Sequence, residues 1–253
     1  MKLVRILYLF FVFSLALFAG FQAGDRLNIM GVLFHSPIDE TAIPGVTIPD
    51  NDQFNLLIIG ADDSKNPDAR LESIWLIAHA DNTSRVTLIP VFPSHENPVQ
   101  NLVLAEKFSL EHGKPSNEFW QAMQKTNLWW KGYIITDMSA TINLIDMMGG
   151  IKVQDRLLDG VQAVSSIPPW ESDPLMAVEY QMLLFKGVCN QIADNQKINL
   201  KTANELISVS MRSNKKVNEA FTNWSSQTEL HGKLICSFPT LEQTLIEPLT
   251  ASQ

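Results

Sequence analysis

The sequence predicts an α/β domain, a central sheet flanked by helices, preceded by one membrane-spanning helix. Three observations predict it. Residues 54–59, 73–78 and 85–91 are rich in branched apolar side chains and bounded by turn residues, as strands are. Helical periodicity appears in 137–148 and 175–194, after those strands, so strands and helices alternate. Residues 6–23 carry no charge, and the run is about one bilayer-spanning helix long.

The N-terminal run has no polar face, so it does not suit a buried core helix. Small residues Ala16, Ala19, Gly20, Ala23 and Gly24 offer signal-cleavage positions, but Phe18 and Phe21 are interleaved. The apolar core is also longer than that of a cleaved signal, which favours a retained anchor over 1–23. Lys2 and Arg5 precede the run and Asp25 follows it, which places everything after Ala23 outside the cytoplasm. Residues 24–51, with Pro37, Pro44 and Pro49, read as a linker, 52–240 as the domain and 241–253 as a tail.

The chain has 253 residues, 18% of them charged and 45% apolar, which excludes wholesale disorder. All 27 acids, but only 17 of the 19 lysines and arginines, lie beyond the apolar run. That acidic balance excludes a nucleic-acid partner, which needs a basic footprint. Cys189 and Cys236 have no metal-ligand spacing. They are either buried thiols or a bridge; outside the cytoplasm, a bridge is expected if they lie within reach.

Within the domain, the first strand is apolar almost throughout, as a strand buried on both faces should be. Residues 81–84 form a tight connection. Residues 95–115 read as a partly helical loop. Ser116 caps a helix through 124, and 130–135 is a strand. Asp137 caps the helix 137–148, whose Met138, Ile142, Ile145 and Met148 share a face, and Gly149–Gly150 ends it. Met147 and Met148 read as core. A short strand follows at 151–153, helices at 175–194 and 200–213, and a late strand at 230–238.

Asp62, Asp63 and Arg70 sit at strand ends, where sites collect. Arg70 and Glu72, two apart, share one side of a strand; they form either a phosphate or metal contact or a surface ion pair. Asp62 and Asp63 are open to a turn role as well. Trp129, Trp130 and Trp170 line an apolar groove or pack in the core. Ser94-His95-Glu96 is not a triad, since sequence neighbours do not make that geometry.

Several segments, in order, resemble the LytR-CpsA-Psr family of the bacterial cell envelope, also described as cell-envelope-related transcriptional attenuators. They are Asn55-Leu-Leu-Ile-Ile-Gly-Ala-Asp62, Arg70-Leu-Glu-Ser73 and Val86-Thr-Leu-Ile-Pro90. Further on come Ile134-Ile-Thr-Asp-Met138, Leu144-Ile-Asp-Met-Met-Gly-Gly-Ile-Lys-Val153 and Leu158-Asp-Gly-Val-Gln-Ala-Val164. The resemblance spans roughly residues 52–195 and implies a central mixed sheet flanked by helices. It implies transfer of a glycopolymer from a polyprenyl-pyrophosphate carrier to peptidoglycan, with arginines on the pyrophosphate and acids on a magnesium ion. Arg can bind adjacent phosphates bidentately, and Mg²⁺ prefers carboxylate and phosphate oxygens.

Carried over by position, the resemblance makes Arg70, Asp62, Glu72 and Asp173 substrate-binding candidates and Asp62 and Glu72 metal candidates. Elsewhere the pattern departs. Val91-Phe92 stands where Arg-Asp is expected, and Ser165-Ser-Ile-Pro-Pro169 where Tyr-Ala-Arg-x-Arg is expected. Met176, Glu179 and Tyr180 replace Arg, Arg and Gln. No catalytic residue is assigned, and magnesium enters only if the family site is partly retained.

The expected protein is therefore an extracytoplasmic, single-pass cell-membrane protein on this scaffold. It is non-catalytic and binds a polyprenyl-phosphate lipid, a cell-wall glycan or an envelope partner. The alternative is a divergent magnesium-dependent transferase that recruits Arg156, Lys186 or Arg212. An unrelated anchored α/β binding domain is a third reading. The orientation has a direct check: protease added to intact spheroplasts digests the domain, whereas protection would place it inside.

Overall fold

The computed structural model describes residues 53–80, 85–194, 212–213 and 235–239. The expected anchor, linker, 81–84 connection and tail lie outside them, as does all of the expected 200–213 helix except its last two residues. Among the described residues no helix is long and apolar enough to cross a membrane.

The strands expected first are β1 (Gln53–Ala61), β2 (Leu71–Ala80) and β3 (Arg85–Phe92). The chain continues through α1 (Pro98–Lys107), the hairpin β4 (Leu110–Glu111) and β5 (Lys114–Pro115), and α2 (Asn117–Gln124). Next come β6 (Gly132–Asp137), α3 (Met138–Met147), the hairpin β7 (Ile151–Val153) and β8 (Arg156–Leu158), and α4 (Gly160–Ser165). The long helix α5 (Pro174–Asp194) follows, then β9 (Arg212–Ser213) and β10 (Ile235–Ser237).

Six strands form one mixed sheet in the order β10-β3-β2-β1-β6-β9. β1 is interior, antiparallel to β2 and parallel to β6. Its side chains alternate between two cores, as a period of two requires. Leu57 and Ile59 join Ile74, Leu76, Ile89 and Ile135 on one face, under Leu104, Phe119, Trp120 and Met123 of α1 and α2. Ile58 joins Trp75, Ile77, Val86 and Leu88 on the other, under Met182, Phe185 and Cys189 of α5.

Local chemistry sets the helix ends. Ser116 accepts the Phe119 N–H at 3.3 Å as the α2 cap. Asp137 accepts the Ala140 N–H at 2.8 Å as the α3 cap. Gly149 and Gly150 take φ of 78° and 92° and return their N–H groups to the carbonyls of Asp146 and Ile145.

Several expectations are corrected. The 95–115 segment is a helix and a hairpin. Its period was masked because α1 buries Asn101 and Leu104 while Val99 and Leu102 are exposed. Asn101 is bonded both ways to the Ser94 backbone, at 2.8 and 2.7 Å. The strand expected at 130–135 begins at Gly132, and Arg212–Ser213 pairs with β6 as a strand rather than ending a helix. Of the two methionines read as core, Met147 is exposed while Met148 packs against the Ile145 cluster; Met138 is exposed as well. The buried side of α3 meets Ile151, Ala163, Val164 and Leu184 in a cluster that includes no residue of the main sheet.

That small cluster explains the Leu-Ile-Asp-x-x-Gly-Gly segment. Asp146 Oδ1 accepts the Gly160 N–H at 2.7 Å, tying α4 to α3. A Cβ on Gly160 would stand 2.3 Å from the Ile142 carbonyl oxygen, a backbone atom that cannot swing away. Gly160→Ala is therefore expected to destabilise the domain by roughly 1–3 kcal/mol, as overpacking does. Urea unfolding measures it, and an unchanged midpoint would refute the close approach.

Candidate functional site

The candidate residues meet at the end of β1 and β2, where the register slips. Gly60 pairs with Ser73 but Ala61 pairs with Leu71, so Glu72 is the extra residue of a β-bulge. Regular alternation would point Leu71 and Ile74, three apart, to opposite faces. The bulge brings both into the same core and turns the Glu72 side chain out to the rim. The Glu72 carbonyl meets the Gln181 amide from α5 at 3.4 Å, and Gln181 also accepts the Trp75 indole N–H at 2.9 Å.

Asp62, Arg70 and Glu72 come together as the pattern implied. Arg70 Nε lies 3.2 Å from Asp62 Oδ2, and its Nη2 lies 3.2 Å from Glu72 Oε1. Asp62 Oδ1 accepts the backbone N–H of Asp63 and of Arg70, both at 2.8 Å, and the Asp62 N–H donates to the Arg70 carbonyl. Asp62 thus closes the loop between the strands. Asp63 Oδ1 accepts the Lys65 N–H and Asn66 Oδ1 the Asp68 N–H within it. The turn role left open for the two aspartates is the one the structure displays. Ser64 anchors the loop from below, donating to Asp137 Oδ2 through its hydroxyl at 2.5 Å and its N–H at 3.3 Å.

Asp173 is placed at the start of α5 rather than in the loop between β1 and β2. Its carboxylate accepts the Met176 N–H at 3.0 Å, which caps the start of α5. Glu171, two residues earlier and not singled out by the sequence, acts electrostatically on both Arg70 and Glu72.

The charges are unequal. The Asp62 hydrogen bond, then the Glu72 charge, hold the Arg70 guanidinium protonated above its already high ordinary range. Burial pushes the Glu72 carboxyl up; Arg70 pulls it back, and Glu171 and Asp62 add to the rise. Contact with Arg70 therefore does not offset the cost of holding Glu72's charge out of water. At Asp137, burial works upward, but bonds from the Ser64 hydroxyl and the Ala140 and Ser64 N–H groups prevail and hold it below the ordinary value.

The magnesium set does not fit these residues. Asp62 directs both oxygens at N–H donors, and Glu72 faces a guanidinium. Among the described residues no three of His, Cys, Asp and Glu are grouped to hold a metal.

The positions that depart from the arginine pattern are packed instead. A second register slip, between Ile74–Phe92 and Trp75–Pro90, makes Val91 the extra residue in β3. Val91 and Phe92 are consequently both buried in the main core. Trp170, next to the Ser165–Pro169 replacement, meets Phe92 edge-on at 4.9 Å and donates its indole N–H to the Leu71 carbonyl at 3.1 Å. Trp130 is fully buried in the main core, and the Lys131 ammonium lies 5.8 Å from the ring of the partly buried Trp129. Met176 and Glu179 are exposed. The alternative bases belong to separate elements. Lys186 lies over Phe238 beside β10, Arg212 is in β9 at the opposite sheet edge, and Arg156 is in β8.

This three-layer arrangement is the fold of the LytR-CpsA-Psr proteins. Among solved structures, TagV of Bacillus subtilis superposes with a TM-score of 0.52 at 11% identity, over 76% of this chain and 86% of that one. The protein gbs0355 of Streptococcus agalactiae gives 0.50 at 15%, over 74% and 77%. YwtF of B. subtilis, described as a transcriptional regulator, gives 0.50 at 10%, over 77% and 80%. At these identities the likeness extends to the fold alone. Neither a family model nor a curated protein sequence matches the chain.

The Glu72 environment has a sign that can be tested. A carboxyl whose folded pKa lies above its ordinary value of 4.5 favours the fold while protonated. It withdraws that support as pH rises through the folded pKa. Glu72→Gln keeps an acceptor for Arg70 and removes the charge. Between pH 4 and pH 7 its stability should move in the variant's favour relative to the native chain, by less than about 1 kcal/mol at this partly solvated site. Urea titrations at the two pH values measure the shift, and a movement the other way would refute it.

Proposed function

We propose that the chain is a membrane-anchored, extracytoplasmic cell-envelope protein on a LytR-CpsA-Psr scaffold that does not transfer glycopolymers. The observation that carries this reading is the Phe92–Trp170 contact, which sets aromatic packing beside two positions where the family pattern has arginines. Transfer from a pyrophosphate needs preorganised cations on the departing charge. Arg70 is the remaining cation of that set, and Asp62 and Glu72 already neutralise it. A polyprenyl-phosphate lipid or cell-wall glycan, if held here, must displace those carboxylates, so Arg70 supplies a weak binding contact and no rate. Residues 6–23 supply the anchor in the cytoplasmic membrane, with the domain outside.

The test is turnover by the purified full chain in detergent, with a polyprenyl-pyrophosphate glycan, Mg²⁺ and peptidoglycan fragments. The expected rate equals the no-enzyme control. Loss of several cooperating cations costs several powers of ten, though such losses do not add simply. Turnover clearly above the control, and abolished by Arg70→Ala, would overturn this reading and establish the divergent transferase.

A further inference from the structure

We infer that the Cys189–Cys236 disulfide is a redox-sensitive clasp that holds β10 on the outer edge of the sheet. The bond joins α5 to β10 across 47 positions. It is independent of whether the chain transfers glycan.

Among the described residues the noncovalent hold on β10 is short, with Cys236 and Phe238 packed against Trp75, Val86 and Leu88. Three residues, Ile235, Cys236 and Ser237, pair with Arg85, Val86 and Thr87 of β3. The pairing is parallel, the weaker arrangement per residue. The Ser237 hydroxyl meets Thr87 Oγ1 at 2.8 Å and donates to the Val86 carbonyl at 3.3 Å. The Lys186 ammonium lies 5.4 Å from the Phe238 ring. Ile235 is half exposed. Among the described residues β10 is the outer strand of the sheet, and a strand of three residues there gains much of its hold from a covalent tether.

The hold on α5 is different. Gln181 accepts the Trp75 indole N–H at 2.9 Å, and the Phe185 ring stands 4.7 Å from that of Trp75. On its other side Leu184 packs in the small core, and Gln191 donates to the Met148 carbonyl at 3.2 Å. Cutting the disulfide therefore leaves α5 seated and removes the tether of β10 alone. Both cysteines are partly exposed and pack against the Trp75, Val86 and Leu88 cluster, and access of a thiol to the sulfurs is what decides whether the bond is reduced in the folded protein.

The reductant is a dithiol of the Cys-x-x-Cys class. Its thiolate attacks one sulfur to form a mixed disulfide, and its second thiol resolves that bond. Two electrons pass to the protein, Cys189 and Cys236 each take a proton, and the reductant leaves as a disulfide. Released β10 uncovers the backbone of β3 at 85–87, and an open strand edge is a template for pairing.

Hydrogen exchange on the full chain in detergent tests this, comparing the oxidised protein with protein reduced by a thioredoxin-type dithiol. Alkylation should find no thiol before reduction and two after it. Exchange at 85–87 and 235–237 should rise by roughly two powers of ten, the scale of one tether's contribution. Exchange at 56–59 and 74–77 should not change, and Cys236→Ser should give the same pattern without reductant. The clasp is overturned if the edge stays protected after full reduction, or if the dithiol cannot reduce the folded protein. It is also overturned if exchange rises throughout β1 and β2, which would make the bond a general staple.

Discussion

Burial of β1 on both faces is the constraint from which the other layers follow. A strand with Leu57 and Ile59 on one side and Ile58 on the other must be covered twice. The α1–α2 segment covers one face with Phe119, Trp120 and Met123; α5 covers the other with Met182 and Phe185. Backbone groups inside such a strand need partners on both edges, and β2 and β6 provide them. The end of β1 is where this regular pairing stops, and the charged residues gather there.

Two bulges shape that end in opposite directions. In β2 the extra residue is Glu72, and the slip sends a carboxylate to the rim beside Arg70. In β3 the extra residue is Val91, and the slip sends Phe92 inward to meet Trp170. One device displays charge; the other packs an aromatic where the family pattern has a charged pair. The outcome is a rim where one guanidinium faces two carboxylates. Burial holds the Glu72 carboxyl above its ordinary range despite the charge of Arg70.

Helix α5 links this rim to the far edge of the sheet. Its residues at 182, 185 and 189 face Trp75, and those at 184 and 188 face the small core around Ile151. Gly187 lets it approach the Lys152 carbonyl, which a Cβ would meet at 3.1 Å. It touches the Glu72 carbonyl through Gln181 and carries Cys189 about two turns further on. A helix apolar on two sides reads as alternating in sequence because it has two different neighbours.

The sequence by itself determined the elements whose causes are local. The three apolar strands, the Ser116 and Asp137 caps and the Gly149–Gly150 stop were legible because propensity, capping and chirality act within a few residues. The order of the LytR-CpsA-Psr-like segments also carried the fold class, and Arg70, Asp62 and Glu72 were legible as neighbours. Tertiary structure decided the rest. Helix α1 was hidden because its buried side includes Asn101, whose bonds go to Ser94. The bulges at Glu72 and Val91 exist only as mismatches between paired strands, so no single strand announces them. Gln181, Glu171 and the Cys189–Cys236 bond matter through residues far away in the chain. Asp173, a ligand candidate by position, also caps α5 by accepting the Met176 N–H, a role that shows only once the helix start is placed.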